Sequence, residues 1–409
     1  MKKSQMQWVV AFKGSRDAYQ VPRALAEAGL LEALVTDWYP PFDAKWFHQS
    51  MKALPTRIKD SLGRRYSSGV PSSKVHMRPL EMVRTKLHSR SASDRGDNRI
   101  GAVAGRLAVS KGAGVLSYSY YAHAAFSAKA TANVPKIIFQ VHPHPRSVRE
   151  LLTEEIQLMP EAQASLRGEI ELNMPPSRYT QLCEEPLLAD MCLVASNYTK
   201  KTLVENGVKE SSVRVIPYGV DLEKYRPADD GNRRSTTSRF RVLFAGQMIQ
   251  RKGLSYLLEA WKRLSLLGAE LILVGRGGID KQLLAKYEGL FTLKHAATAA
   301  ELRELYQISD LCCMPSLVEG FGLVYLESLA CGTPVIGTPH TGAADLVCDG
   351  EEGFIVPIRS VEALMERLEW CYRNRRALAD MRVKARRTAE LYTWDRFRAC
   401  LVKAVREAA

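Results

Sequence analysis

Short, unbroken apolar runs alternate along this chain with longer stretches in which apolar residues return every three or four positions. That is the pattern of buried strands separated by amphipathic helices. Gln7–Phe12 reads as a first strand, followed by a glycine-containing turn and a helix through Ala24–Ala28. Gly29 stops that helix, and Leu34-Val35-Thr36 forms the next strand. After a polar stretch the apolar runs resume at Gly114–Tyr118 and Pro135–Val141. A long helical region is expected from Ser147 through Ile170, then a strand at Met191–Ala195 and an apolar segment at Val213–Asp221. Between Glu223 and Ser238 the residues turn to Pro, Gly, Asp, Ser, Thr and Arg, which marks a boundary.

The second half repeats the alternation more regularly. Strands are expected at Phe240–Ala245, Leu271–Val274, Phe291–Leu293, Leu311–Met314, Pro334–Gly337 and Phe354–Val356. Helices fill the gaps at Leu254–Leu266, Asp280–Tyr287, Ala300–Ser309, Phe321–Cys331 and Val361–Arg373. Continuous apolar strands between helices predict an α/β fold with parallel sheets covered on both faces. Ligands of such sheets sit at the carboxyl ends of the strands, so those loops are where chemistry is sought.

Length agrees with two units, since 409 residues exceed one ordinary core. With 46% apolar and 25% charged residues the chain has the balance of a folded globular protein, not a disordered one. No apolar run approaches the ~20 residues that span a bilayer. Trp8–Phe12 is too short for a signal peptide and runs straight into Lys13, Arg16 and Asp17. The eight cysteines show neither a Cys-x-x-Cys pair nor zinc-finger spacing, and read as reduced thiols. A cytoplasmic location follows as the expectation.

The net charge of +14 is unevenly spread: Lys52–Lys111 alone holds 14 Lys/Arg against four acids. Two readings stand. One is a solvated loop region; the other is a surface that meets an anionic acceptor or the acidic inner face of a membrane. Nucleic acid is not an expected partner, because few aromatics interleave with the charges and no binding motif is present.

The most specific string is Pro315-Ser316-Leu317-Val318-Glu319-Gly320-Phe321-Gly322-Leu323, continuing to Glu327. A strand ends, a loop with two glycines follows, and a helix starts. Free N–H groups of the first helical turn, with the macrodipole behind them, suit a diphosphate. Glu319 before the helix and Glu327 two turns into it lie roughly 10 Å apart, and carboxylates accept well from sugar and ribose hydroxyls. Either glutamate alone reads as a capping or surface charge; the whole string is far more specific. The second element is Phe244-Ala245-Gly246-Gln247-Met248-Ile249-Gln250-Arg251-Lys252-Gly253, where paired cations at a strand end could neutralise a departing diphosphate. Leu273-Val274-Gly275-Arg276-Gly277 lacks the spacing of a dinucleotide fingerprint.

These strings, with Val215–Asp221, Thr333-Pro334-Val335-Ile336 and Asp349-Gly350 to Val356, resemble glycosyltransferase family 4 over nearly all of 190–360. The resemblance implies a GT-B fold, two Rossmann-like domains facing a central cleft. Residues 1–222 would form the acceptor side and 239–391 the nucleotide-sugar-binding domain. A final helix from Trp394, within 392–409, would cross back onto the first domain. It further implies a retaining transferase of the hexosyltransferase type with no metal or other cofactor. The donor would be a nucleotide-diphosphate sugar, and the acceptor a glycan, lipid-linked or small-molecule hydroxyl in polysaccharide or glycolipid synthesis. By the same resemblance, Glu319 would hold the donor sugar hydroxyls, Glu327 the ribose and Lys252 the diphosphate. Backbone amides of Gly320, Phe321, Gly322 and Leu323 would meet sugar and phosphate. Many relatives carry Arg directly after the loop glycine; Gln247 stands there in this chain, and Arg251 is the candidate replacement. Gly14 lies in the loop expected to face the cleft, and Gly275 and His295-Ala296 lie near the base. One histidine of Val141-His142-Pro143-His144-Pro145 would line the reaction centre, and His142, nearer the strand, is favoured.

A retaining glycosidase would need two carboxylates about 5 Å apart around the scissile bond, and no nucleophile is evident. Front-face transfer is therefore expected, with the leaving phosphate taking the acceptor proton. A GT-B epimerase or phosphorylase, an NAD-dependent oxidoreductase and a non-catalytic sugar-binding relative are the rivals. The oxidoreductase lacks its G-x-G-x-x-G after the first strand.

Overall fold

The computed structural model of this chain describes residues 5–43, 47, 62–81, 90–127, 131–228, 239–277 and 281–408. Seven strands make a first sheet: β1 (Trp8–Ala11), β2 (Leu31–Thr36), β3 (Val75–Met77), β4 (Gly114–Tyr118), β5 (Lys136–Gln140), β6 (Met191–Val194) and β7 (Val213–Val215). Their order is β3-β2-β1-β4-β5-β6-β7, and every pairing is parallel. Val10 sits in register with Leu34 on one side and Leu116 on the other, and all three are fully buried. This two-sided burial is why β1 is apolar at consecutive positions rather than alternating.

A second parallel sheet contains β8 (Phe240–Ala245), β9 (Ala269–Val274), β10 (Thr292–Lys294), β11 (Leu311–Cys313), β12 (Val335–Gly337) and β13 (Gly353–Ile355). Its order is β10-β9-β8-β11-β12-β13. The order in which strands are added reverses once in each sheet, between β1 and β4 in the first and between β8 and β11 in the second. A parallel α/β sheet opens a crevice outside the carboxyl ends at such a reversal. The loops after β1, β4, β8 and β11 therefore carry the candidate residues.

The two halves are joined at several places. The helix Trp394–Glu407 buries Phe397, Leu401, Ala404 and Val405 in the core of the first sheet. Arg398 on that helix donates to Gln20 Oε1 at 2.7 Å. Between β5 and β6, the chain reaches over to the second half. Glu155, fully buried in the helix Pro145–Leu158, accepts from Gln250 Nε2 at 2.7 Å, Tyr256 Oη at 2.9 Å and Arg359 Nε at 2.8 Å. Removing one partner of a buried, hydrogen-bonded ion pair leaves the others uncompensated, so Glu155→Ala is expected to cost about 3 kcal/mol. Urea unfolding would show it as a lower midpoint; an unchanged midpoint would deny Glu155 any part in clamping the halves.

Two expectations need correction. The helical region expected over 147–170 is broken: Pro145–Leu158 is followed by a turn at Pro160–Ala162 and short helices at Gln163–Leu166 and Ile170–Asn173. Pro160 cannot continue the preceding helix, because it lacks the N–H and clashes with the turn before it. The basic stretch is also not simply a loop where it is described. It contains β3 and a helix at Arg90–Lys111, whose Ile100, Ala104 and Ala108 are fully buried. Arg57 and Lys59, two of its charges, lie outside the described residues, as do 229–238 of the boundary segment. All eight cysteines are free thiols, six of them buried. Among the described residues no helix is long and apolar enough to cross a membrane.

Candidate active site

The loop after β11 and the helix Leu323–Ala330 build one wall. Gly322 caps that helix at φ +89°, a left-handed conformation that suits glycine, and its turn exposes the preceding backbone. Among the described residues, the amides of Gly320, Phe321, Gly322 and Leu323 donate to no protein acceptor. The Phe321 ring is not part of that opening. It is buried and meets the Tyr218 ring edge-on at 5.6 Å, so only its backbone is available to a ligand. Leu323 is partly buried against the core of the second half.

The loop after β8 lies beside this turn, pinned by the Leu317 amide donating to the Arg251 carbonyl at 2.9 Å. Lys252 Nζ is 2.5 Å from Glu319 Oε1, which also accepts from Ser316 Oγ at 2.7 Å. Burial pushes the Glu319 carboxyl up, but Lys252 and Arg251 outweigh it and hold it below its usual range. Burial draws the Lys252 ammonium down, against the upward pull of Glu319. Ionised, the two groups form a preset acceptor–cation pair in a site that excludes most water. Arg251 is committed elsewhere: its Nε pairs with Glu169 Oε2 at 3.0 Å, and Nη1 donates to the Val318 carbonyl at 3.3 Å. Gln247 is exposed at the loop tip. The Gly275 amide donates to Lys294 at the strand end next door. Glu327 belongs to a separate cluster, accepting from Tyr306 Oη at 3.2 Å, with Tyr225 beside it. Burial raises its pKa.

The opposite wall comes from the first half. The Gly14 amide donates to Asp37 Oδ1 at 3.0 Å, which shapes the loop after β1. The two histidines after β5 separate cleanly. His144 is buried and caps the helix Pro145–Leu158, its Nδ1 accepting from the Arg146 amide at 3.2 Å. His142 faces the cleft, partly open to solvent but surrounded by charge. Burial first, then Arg16, Arg251 and Lys252, lower its pKa to about 3, with Glu319 pulling the other way. His142 is thus a neutral hydrogen-bonding group at physiological pH. Its ring resonances are expected not to titrate between about pH 5 and 8. The unfolded chain binds the proton that folded His142 refuses, so its contribution to stability falls as pH drops from about 6.5 toward 3. An NMR midpoint near 6.5 would mean that burial and the neighbouring cations do not act on the ring as described.

Sequence reasoning missed Ser316, Glu169 and Arg16. Ser316 stands inside the string already singled out. Glu169 had no signal, because its partner is 82 residues away. Arg16 was within the loop after β1, and its neighbours there were the available hint. Among the described residues, no group of three or more His, Cys, Asp or Glu could hold a metal ion.

Residues 226–388 match the family model described as Glycosyl transferases group 1. The chain is 31% identical to the D-inositol 3-phosphate glycosyltransferase of Paenarthrobacter aurescens (strain TC1) over 217 residues, 49% of this chain and 53% of that one. It is 28% identical to the GDP-mannose-dependent alpha-(1-6)-phosphatidylinositol monomannoside mannosyltransferase of Mycolicibacterium smegmatis (strain ATCC 700084 / mc(2)155) over 252 residues, 57% and 66% of the two chains. The chain spans about half the length of the curated relatives it matches. Among solved structures, sucrose-phosphate synthase from Thermosynechococcus elongatus superposes with a TM-score of 0.69 at 18% identity, covering 98% of each chain. Anabaena Alr3699/HepE in complex with UDP-glucose gives 0.61 at 15%, covering 98% of this chain and 99% of that one. The two parallel-sheet halves share the GT-B fold of these structures.

Proposed function

We propose that this chain is a retaining, nucleotide-sugar-dependent glycosyltransferase of family 4, acting in cell-surface glycan or glycolipid synthesis. The observation that carries the reading is the convergence of four amides without a partner among the described residues, Gly320 to Leu323, with the Lys252–Glu319 pair, faced by His142 across the cleft. Relatives named as glycosyltransferases, and the UDP-glucose held by a protein of the same fold, support it.

In this reading the donor diphosphate takes the amides and Lys252, which need no metal or organic cofactor to offset its charge. Glu319 turns to accept from donor sugar hydroxyls, and Glu327 from the ribose. The bond from the anomeric carbon to the diphosphate oxygen breaks while the acceptor oxygen bonds to the same carbon from the same face. The acceptor proton passes to the leaving phosphate oxygen, and neutral His142 hydrogen-bonds a sugar hydroxyl beside that centre.

Thermal shift with UDP, GDP, ADP and NAD tests the class. A nucleoside diphosphate is expected to stabilise the protein, and stabilisation by NAD alone rejects the reading. Turnover with a matrix of UDP-, GDP- and ADP-sugars then identifies the donor, with the product anomer read by NMR. Peripheral contact of the basic stretch 52–111 with anionic lipid belongs to the same reading. Neutralising Arg57, Lys59, Arg64 and Arg65 should abolish binding to anionic vesicles, and retained binding would leave the stretch without that role. Arg65 pairs with Asp37 at 2.8 Å.

A further inference from the structure

The loop after β1 holds one guanidinium in an unusual way. Asp17, Ala18 and Tyr19 follow one another at φ 41°, 51° and 64°, a left-handed turn without a glycine. Backbone strain of this kind persists where the surroundings over-determine it, and it collects at functional sites. Here the brace is Asp17, whose carboxylate accepts from the Tyr118 hydroxyl and from the Gln20 amide. The turn presents Arg16 to the cleft, with its Cζ 5.9 Å from the Tyr120 ring centroid and the Tyr121 hydroxyl close by.

Four nearby cations have carboxylates. Lys13 pairs with Asp97 at 2.6 Å, Arg178 lies 3.9 Å from both Asp94 and Asp97, Arg251 has Glu169 and Lys252 has Glu319. Among the described residues, Arg16 has no carboxylate within ion-pair distance. Next to it, the edge-on rings of Tyr120 and His142, 6.1 Å apart, wall a small cavity that Ser119, Gln140 and Glu171 also line. Among the described residues Ser119 Oγ and Gln140 Oε1 are buried there without a hydrogen-bond partner, and each residue is only 3% exposed. Buried polar atoms of this kind ordinarily find partners.

We propose that this wall, formed by Arg16, Tyr120, Tyr121 and His142, is the acceptor subsite, and that Arg16 selects acceptors bearing a phosphate or carboxylate beside the reacting hydroxyl. The inference rests on the glycosyltransferase reading above. The donor diphosphate has its own cation and amides on the other side of the cleft, which leaves the Arg16 charge for the second substrate. The cavity behind this wall has room for about one water molecule, which Ser119 and Gln140 are placed to bind. A planar guanidinium is the side chain best suited to a bidentate anion contact.

The test uses inorganic phosphate as the probe, titrated calorimetrically into full-length protein saturated with whichever of UDP, GDP or ADP it binds. Wild type is expected to bind phosphate with the nucleotide in place. Arg16→Gln should weaken phosphate by at least about tenfold while nucleotide affinity is unchanged, and Arg16→Lys should fall between. Equal phosphate affinity in R16Q, no phosphate binding beside the nucleotide, or a loss of nucleotide affinity instead would each overturn the proposal. Failure of wild type to bind any nucleotide would sink the transferase reading itself, a result distinct from all three.

Discussion

Lys252→Ala is expected to lower sugar transfer about a thousandfold, the loss seen when a preorganised donor to developing negative charge is removed from an enclosed site. Lys252 pairs with Glu319, the residue just before the amides that have no partner among the described residues, whereas Arg251 is held by Glu169 of the other half. The substitution has a second consequence. Burial pushes the Glu319 carboxyl up, and Lys252 is the largest influence holding it down. Without the ammonium, Glu319 ionises at higher pH. A protonated Glu319 accepts poorly from sugar hydroxyls, so the residual rate of the variant should rise with pH where wild type is flat. Lys252→Arg keeps the charge and should restore the flat profile at reduced rate. Unchanged kcat/KM in the alanine variant, with a native melting temperature, would remove Lys252 from the mechanism.

Much of this arrangement was readable because the physics that makes it is local. A strand buried on both faces must be apolar throughout, so β1, β8 and β11 announce themselves. The turn through Gly320-Phe321-Gly322 needs residues that tolerate close backbone approach, and the string shows them. What could not be read depends on partners distant in sequence. Glu155 looks like any helix-surface glutamate until Gln250, Tyr256 and Arg359 close over it. The helix Arg90–Lys111 begins with an Arg/Ser/Asp-rich run that favours loops, and only packing of its small residues against the helix Ala122–Phe126 makes it a core element. Neither Asp17 nor Tyr19 advertises a left-handed turn; the Tyr118 hydroxyl, 101 residues away, is what braces it. The pairing of Arg251 with Glu169, 82 residues away, was equally invisible.

The site also depends on closure, and Gly320 is where closure can be broken with one methyl group. A Cβ at this position would stand 1.9 Å from the Val141 carbonyl oxygen and 3.3 Å from His142 Cα, both on the opposite wall. Its own carbonyl accepts from Ser196 Oγ at 2.6 Å and Thr199 Oγ1 at 3.1 Å, so the donor turn is stitched to the first half. Gly320→Ala therefore has to displace His142 from the turn by roughly 1–2 Å to relieve the overlap. A misplacement of that size between reacting groups costs about a hundredfold in rate, and Gly320→Val should cost more. The amides and Lys252 stay together on the second half, so nucleoside diphosphate binding should survive while transfer does not. Small-angle scattering should register the wider cleft, and the fall should appear mainly in kcat. Full transfer activity in Gly320→Val would mean that the two walls need not meet for the reaction, and His142 would lose its place beside the donor.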